Sequence, residues 1–273
     1  MADSNNMSDL WKRLRFVLIG IIVYRIGTHI PIPGIDPQRL SSLFDQNQGT
    51  ILELFNLFSG GALERMSIFA LNVVPYISAA IIMQLFSNSI PYLIELKKDG
   101  QAGRNAITQY TRYGTVLLAF IQASALAVTL SSGGLAYNPG TAFFVSAVFS
   151  VVAGTIFLMW LGEQISERGI GNGISIIIAT SILTGIPSAI GQALEQARQG
   201  DLNILMLLSI GVLAMVVIAV VVFIERGQRR ITVNYAQRQQ GRKLMQAQAS
   251  HLPFKVNMAG VIPAIFASTF LLF

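Results

Sequence analysis

The chain has 273 residues, of which 53% are hydrophobic and only 12% are charged, and it contains no cysteine. A soluble domain ordinarily has about 25% charged residues, so this composition and the mean hydropathy of +0.59 predict an integral membrane protein. The missing cysteines exclude disulfides, zinc–cysteine sites and thiol chemistry. The net charge of +6 does not by itself indicate a nucleic-acid binder, since we expect most basic residues to set membrane topology.

Hydrophobic segments follow one another along the chain, each close to the roughly 20 residues that cross a bilayer. They are Leu14–Ile32, Met66–Leu85, Thr111–Leu130, Thr141–Leu161, Ile174–Ala193, Asn203–Ile224 and Val256–Phe273. We interpret the first as a retained span rather than a removable signal peptide, because no small-residue cleavage site follows it. The last one reaches the final residue, so we expect the polypeptide to stop within a helix, as part of a longer protein.

The basic residues predict the orientation of these spans. If residues 1–13 are cytoplasmic, the inner segments hold most of the 19 Lys and Arg residues, and only Arg39, Arg65 and Arg198 fall outside. This bias predicts a cytoplasmic N-terminus. Arg25 is the one clear charge within a span. We expect its side chain either to snorkel outward or to pair with a backbone carbonyl.

A short amphipathic segment lies between the first two spans. Ile51, Leu54, Phe55 and Phe58 recur at the i, i+3, i+4 and i+7 spacing of one helix face. The predicted half-helix is only about 12 Å long, too short for the roughly 30 Å hydrocarbon core, and a Gly-Gly pair ends it. Irregular backbone at membrane depth is tolerated only inside protein or beside an aqueous cavity. The segment therefore predicts a channel or a transporter.

The sequence offers little for catalysis. His29 and His251, the two histidines, are expected on opposite sides of the membrane and cannot form a metal pair. The glycine-rich stretch Gly169–Gly173 lacks the third glycine of G-x-G-x-x-G and follows a span rather than a strand, so it does not predict a dinucleotide site. No P-loop motif is present, and the spans lack the acidic residues of ion-coupled transporters. We predict no enzyme activity, no metal and no cofactor.

Two polar features leave alternatives open. Residues 225–255 carry many basic side chains and one acid, which suits either a solvated topology-setting loop or a docking surface for an acidic or RNA-containing partner. Ser78, Gln122 and Asn257 are neutral polar residues in three different spans. Bonds between such groups are worth about 0.6 kcal/mol each, which suits ordinary helix packing or a contact that must open.

Several motifs together are specific to one family. They are Pro31–Ile35, Phe58–Leu63, Pro75–Ala79, Gln109–Gly114, Trp160–Ile165, Arg168–Ser175, Glu225–Ile231 and Lys255–Pro263. From about Trp11 onward the chain closely resembles the SecY family of bacterial protein-translocation channel subunits. The resemblance implies an all-α membrane protein, a polytopic transmembrane helix bundle of two halves related as an inverted pseudo-repeat, truncated here in helix seven.

The resemblance also implies a division of the chain. Residues 14–193 would form the N-terminal half with helices one to five, including a plug half-helix at 50–61. Residues 194–273 would begin the C-terminal half with helix six, the cytoplasmic loop 225–255 and part of helix seven.

The family's functional residues carry over by motif. A plug that closes the channel from outside, hinged at its last three residues, would comprise Ile51, Leu54, Phe55, Phe58, Ser59, Gly60 and Gly61. An aliphatic pore ring would comprise Val73, Ile77, Ile174, Ile178 and Ile265. A polar lateral gate would comprise Ser78, Gln122 and Asn257. Cytoplasmic partners would dock on Arg226, Arg229, Arg230, Arg238, Arg242 and Lys243.

The function implied is that of the central pore-forming subunit of the Sec translocon. It would pass unfolded secretory proteins across the bacterial cytoplasmic (inner) membrane and membrane proteins laterally into it. The implied partners are the SecE and SecG subunits, the SecA motor ATPase, the ribosome, signal sequences with their secretory polypeptides, and membrane lipids. A secondary transporter with a broken helix is the alternative, and it predicts a buried charged or ion-coordinating site. A structural scaffold would leave the short half-helix unexplained.

Overall fold

The computed structural model describes residues 3–36, 39–40, 56, 59–199, 204–234, 239–240, 243–244 and 249–257. The chain divides into two compact units, Met1–Ile190 and Gly191–Phe273. The helices are α1 (Asp3–Gly27), α2 (Val74–Ser89), α3 (Pro91–Lys98), α4 (Gln101–Ser132), α5 (Thr141–Arg168), α6 (Gly173–Gln199) and α7 (Ile204–Arg226). The strands are β1 (Gln228–Asn234), β2 (Gln239–Gln240), β3 (Lys243–Leu244) and β4 (Ala249–Lys255).

Helix α1 ends earlier than the sequence predicts. The first span was expected to reach Ile32, but the helix stops at Gly27 and continues as a turn in which the Ile30 N–H donates to the Gly27 carbonyl at 3.2 Å. Pro31 then makes an isolated bridge with Ser67. The cause is local, since a residue that precedes proline is disfavoured in the helical region and proline has no N–H to donate.

The second predicted span, Met66–Leu85, is wrong at its start. The helix begins at Val74, with a proline in its first turn, and successive turns cover the preceding residues. Met66 and Asn72 lie in the left-handed region, with φ of 42° and 49°. An uninterrupted apolar run cannot reveal such turns, because hydrophobicity alone does not report backbone conformation.

Within the described residues, α4, α5, α6 and residues 205–226 of α7 are long and apolar enough to cross a membrane. Helices α2 and α3 meet at a 94° bend and count as a fifth span only if the bent pair is taken as one. The first predicted span is not among them. Its helix carries four basic side chains, which lower its hydropathy, at Lys12, Arg13, Arg15 and Arg25.

The core of the first unit is built where α4 meets α2 and α5. Ala119, Ala123 and Ala127 recur every fourth residue on α4 and are almost completely buried. They belong to one hydrophobic cluster with Val148 and Val151 of α5. Small residues at this spacing let helix backbones approach closely, which is the usual basis of helix packing in membranes.

The second unit contains α7 and the strands that follow it. The apolar side chains of α7 are exposed from Leu208 to Ile224, and none of its apolar 18-residue window is buried. The segment 225–255, interpreted from sequence as a loop, is instead an antiparallel ribbon in which β1 pairs with β4 from Gln228↔Lys255 to Asn234↔Ala249. The β-branched run at 231–233 favours a strand. Beyond Asn257, the seventh predicted span lies outside the described residues.

Candidate functional site

The chain leaves the predicted half-helix through a left-handed turn. Asn56 and Ser59 are helical, and Gly60 and Gly61 have φ of +67° and +78°. The Gly61 N–H donates to the Asn56 carbonyl at 3.0 Å, five residues back, which is the bond that defines a Schellman C-cap. The Gly-Gly pair thus ends a helix here. The predicted apolar face of the plug lies outside the described residues and comprises Ile51, Leu54, Phe55 and Phe58.

Short polar contacts close this turn on itself. The Asn56 side chain accepts from the Glu64 N–H at 3.0 Å and donates to the Glu64 carboxylate at 2.9 Å. The Ser59 hydroxyl donates to the Asn56 carbonyl at 2.9 Å and accepts from the Leu63 N–H at 3.1 Å. These four bonds stabilise the turn locally.

Helix α1 holds the hinge (Ser59, Gly60 and Gly61) by its backbone. The Tyr24 hydroxyl donates to the Ser59 carbonyl at 3.2 Å, and the Arg25 guanidinium donates to the Gly60 carbonyl at 3.3 Å. Of the two arrangements expected for Arg25, the structure therefore has the carbonyl pair. Two consecutive residues of α1 bind two consecutive carbonyls of the hinge.

Helix α6 lies against the other side of the hinge. A Cβ added to Gly60 would lie 3.1 Å from the Ser181 Cα and 3.1 Å from the Thr184 hydroxyl. Ser181 is fully buried, and its hydroxyl lies 2.6 Å from the Tyr24 hydroxyl and accepts from the Asn72 amide at 3.1 Å. Sequence analysis missed Tyr24, Asn72 and Ser181. The signal that could have found them is the one used for Ser78, a neutral polar side chain in an apolar segment.

The described members of the predicted pore ring share one hydrophobic cluster. Val73 is 1% exposed and lies in it with Ala62, two residues after Gly60. The partly buried members include Ile77, Ile174 and Ile178. Ile265 lies outside the described residues. The structure therefore brings four of the five residues together beside the hinge, and their role as a constriction stays a prediction.

A tight corner between α5 and α6 sets where the α6 isoleucines stand. A Cβ on Gly173 would lie 2.0 Å from the Gly162 carbonyl, and a Cβ on Gly162 would lie 2.8 Å from the Ile174 side chain. The Asn172 side chain accepts from the Ile174 N–H at 3.0 Å, and so caps α6. The Ser166 hydroxyl accepts from the Gly173 N–H at 2.8 Å. The glycine-rich motif thus serves close helix packing.

The predicted gate residues occupy different surroundings. Ser78 on α2 and Gln122 on α4 lie on two helices that pack together. The Ser78 hydroxyl oxygen and the Gln122 side-chain carbonyl are shielded from solvent, and neither has a hydrogen-bond partner in the described part of the chain. An unmet buried polar group costs about 1–3 kcal/mol, so both would gain from a polar partner. Asn257 belongs to the second unit, where its amide donates to the Glu225 carboxylate at 2.7 Å.

The predicted docking residues lie at and beyond the end of α7. Arg226 is in the last turn of this helix, and Arg229 and Arg230 are neighbours in β1. Since successive residues of a strand point to opposite faces, these two arginines stand on different faces of the ribbon. Lys243 is in β3, while Arg238 and Arg242 lie outside the described residues.

An ion pair joins two helices of the first unit. Arg112 of α4 and Glu163 of α5 form a bidentate pair, with N–O distances of 2.8 and 2.9 Å. The pair joins two helices of the core at the end that sequence analysis places in the cytoplasm. Among the described residues, no cluster of histidine, aspartate or glutamate could hold a metal ion.

Comparison with known proteins identifies the family. The family model described as SecY matches residues 67–273 of this chain. The chain belongs to the SecY family. It is 63% identical over 271 residues to the protein translocase subunit SecY of Pseudomonas aeruginosa, covering 99% of this chain and 61% of that protein. The chain therefore spans about three fifths of the length of this SecY relative.

Solved structures support the same fold. A protein conducting channel matches with a TM-score of 0.70 at 20% identity, over 96% of this chain and 56% of that one. A SecY structure, whose plug domain is described as stabilising the closed state and maintaining a membrane seal, matches with a TM-score of 0.67 at 21% identity, over the same shares of the two chains. The predicted SecY-like membrane helix bundle is confirmed, and the chain is a multi-pass membrane protein.

Proposed function

We propose that this chain supplies the pore-forming part of a protein-conducting channel. The channel passes unfolded secretory proteins across the bacterial cytoplasmic membrane and releases membrane proteins sideways into the lipid. One observation carries the proposal. Two left-handed glycines at the end of the predicted half-helix pack beside an aliphatic cluster that contains Val73, Ile77, Ile174 and Ile178.

The cluster would act as a constriction and the half-helix as its plug. Apolar rings block ions by excluding water, yet they separate when a polypeptide passes, because no strong bond joins their members. The hinge lets the plug leave while α2 stays in place, since two consecutive left-handed glycines already separate the two segments. The SecY structure with a sealing plug domain supports this assignment.

The lateral gate would use Ser78, Gln122 and Asn257. Two of these residues carry shielded oxygen atoms without partners in the described part of the chain. We infer that the closed gate satisfies them weakly and that a hydrophobic signal sequence replaces these contacts as it enters the lipid. Weak bonds suit this task because the insertion of a single signal-sequence helix must supply enough free energy to replace them.

Partners would bind on the cytoplasmic side. The basic residues of the ribbon and of the end of α7 suit an acidic protein surface or ribosomal RNA, so we assign SecA and the ribosome to them. SecE and SecG would complete the channel within the inner membrane, with the N-terminus of this chain in the cytoplasm. The pore itself needs no catalytic residue, metal or cofactor. The comparisons give no support to the secondary-transporter alternative.

Crosslinking of a stalled secretory polypeptide tests the proposal. The chain lacks cysteine, so single cysteines at Ile77 and Ile178 give no background. Both positions should crosslink to the stalled chain because both would face the translocating polypeptide. Matched controls are cysteines at Leu85 on α2 and Leu183 on α6, which are 55% and 60% exposed. A transporter or scaffold would give no crosslink at Ile77 or Ile178, and that result would reject the channel.

A further inference from the structure

Three buried polar side chains form a series of hydrogen bonds that ends on the hinge carbonyl of Ser59. Tyr24 is 1% exposed, Asn72 is 2% exposed and Ser181 is fully buried. We propose that these three residues form an exchangeable latch, a hydrogen-bond relay that holds the plug hinge in one proton arrangement and releases it in another. The latch rests on the proposed function, since it presumes that the half-helix is a plug.

The relay has two arrangements of donors and acceptors. The Asn72 amide donates to the Ser181 oxygen in both. When the latch holds, the Ser181 hydroxyl donates to the Tyr24 oxygen at 2.6 Å, and the Tyr24 hydroxyl donates to the Ser59 carbonyl at 3.2 Å. When it releases, the Ser181 hydroxyl donates to the Ile177 carbonyl at 2.9 Å, and the Tyr24 hydroxyl turns to the Ser181 oxygen.

This exchange lowers the cost of moving the hinge. A buried hydroxyl that loses its acceptor is expensive, because no water replaces the lost bond. Here the Tyr24 hydroxyl keeps an acceptor after the Ser59 carbonyl has left, so release leaves no buried donor without a partner. Ser181 is therefore a positioning residue for Tyr24, and it favours the released state. Tyr24 itself favours the held state.

A purely structural network would behave differently. If these side chains only bound α1, α6 and the hinge together, removal of any one of them would loosen the plug. The exchangeable latch predicts opposite effects for two of its members. Loss of the Tyr24 hydroxyl loosens the hinge. Loss of the Ser181 hydroxyl tightens it, because Tyr24 then loses the acceptor that it uses in the released arrangement and keeps its bond to the Ser59 carbonyl.

The packing of the site makes both substitutions mild. The Tyr24 ring stacks parallel to Phe69, with 6.1 Å between ring centroids, and phenylalanine keeps that contact. Serine to alanine removes one oxygen. Thr180 provides a matched control, since its hydroxyl makes the same kind of bond to a carbonyl four residues back, that of Ile176, at 2.8 Å. No described hydrogen bond joins Thr180 to the hinge.

The test measures channel opening by a synthetic signal peptide. The protein is reconstituted with its partner subunits in planar bilayers, and the peptide concentration for half-maximal anion conductance is recorded. We expect Tyr24→Phe to lower this midpoint about fivefold and Ser181→Ala to raise it about fivefold, the change that one hydrogen bond supports. Thr180→Val should leave the midpoint and the Tm unchanged.

The latch is wrong if Tyr24→Phe and Ser181→Ala shift the midpoint peptide concentration in the same direction. It is also wrong if neither substitution shifts it. Deletion of residues 50–58 separates this failure from that of the plug itself. If the deletion raises resting conductance while the two point variants fail to diverge, the plug stands and the latch is wrong. If the deletion leaves resting conductance unchanged, the segment is not a plug, and both proposals fall together.

Discussion

Gly60 and Gly61 are adjacent and identical in sequence, but the structure constrains them differently. Both have positive φ, which an L-residue with a side chain adopts at a cost of about 1–2 kcal/mol. Only Gly60 is also in close steric contact with another helix, since its added Cβ would lie 3.1–3.2 Å from the Ser181 backbone. Around Gly61 there is open space within 4 Å. Gly60 is therefore required for both conformation and packing, and Gly61 for conformation alone.

Alanine at these two positions should separate the two requirements. We expect Gly61→Ala to lower the Tm by about 3 °C, from its left-handed backbone alone. Gly60→Ala should lower it by about twice as much and should also raise resting ion conductance, because the hinge no longer packs against α6. Thermal unfolding in detergent and conductance in planar bilayers are the measurements. Equal effects of both substitutions would show that contact with Ser181 contributes nothing.

At the scale of elements, the α5–α6 corner decides where the aliphatic cluster forms. Gly162 and Gly173 let the two helices meet almost backbone to backbone, and the Asn172 cap begins α6 at that contact. Ile174 and Ile178 then follow one helical turn apart. Any increase in the distance between α5 and α6 would move these isoleucines away from Val73, so the corner acts on the candidate site indirectly.

Alanine substitution of two α6 glycines should change stability in opposite directions. Gly173→Ala places a Cβ 2.0 Å from the Gly162 carbonyl, so it should destabilise the protein by about 1–3 kcal/mol. Gly191→Ala, at a helical position with open space around it, should stabilise it by about 0.5–1 kcal/mol. Thermal unfolding of both variants checks the signs. A neutral Gly173→Ala would contradict the tight corner.

In the ribbon after α7, the pairing of β1 with β4 decides which side chains share a face. Ile231 lies opposite Leu252, and Arg229 lies opposite Phe254, so one face of the ribbon combines apolar side chains with an arginine. Arg230 stands on the other face with Thr232, which lies opposite His251. A loop would display its basic residues in all directions. The strands instead sort them into two unlike faces.

At the scale of the whole molecule, the chain forms two units that contribute different parts of the proposed channel. The first unit holds the hinge, the aliphatic cluster and two of the proposed gate residues, Ser78 and Gln122. The second holds Asn257, the exposed helix α7 and the basic ribbon. The chain spans 61% of the length of its Pseudomonas aeruginosa relative.

Asn257→Leu should change which signal sequences open the channel. The substitution removes a polar group that the gate proposal needs, so the gate should open for signal sequences of lower hydrophobicity. Translocation efficiency across a series of signal sequences of graded hydrophobicity measures the threshold. Val256→Leu, a conservative change at the neighbouring exposed position, is the control and should leave the threshold unchanged. An unchanged threshold in Asn257→Leu would remove this residue from the gate.

Sequence alone determined the class of this protein and its family, and four of the seven predicted spans coincide with membrane-length helices. Composition is a sum over many positions, so it tolerates errors at any one of them. The Gly-Gly stop was also readable, because left-handed helix ends favour glycine wherever they occur. Four members of the predicted pore ring came from motif resemblance, since in aliphatic helices periodicity does not distinguish a ring from ordinary packing. They are Val73, Ile77, Ile174 and Ile178.

Tertiary structure alone decided the contacts of the hinge. Tyr24, Asn72 and Ser181 are far apart in the sequence and come together only because α1, the turns before α2 and helix α6 meet at one point. The sequence likewise did not predict the turns at 62–73 or the ribbon at 228–255. Backbone conformation in both depends on hydrogen bonds between segments that are separated in the sequence. Local patterns report what a segment prefers, whereas a hydrogen-bond network depends on distances between segments, which are set only when the helices pack.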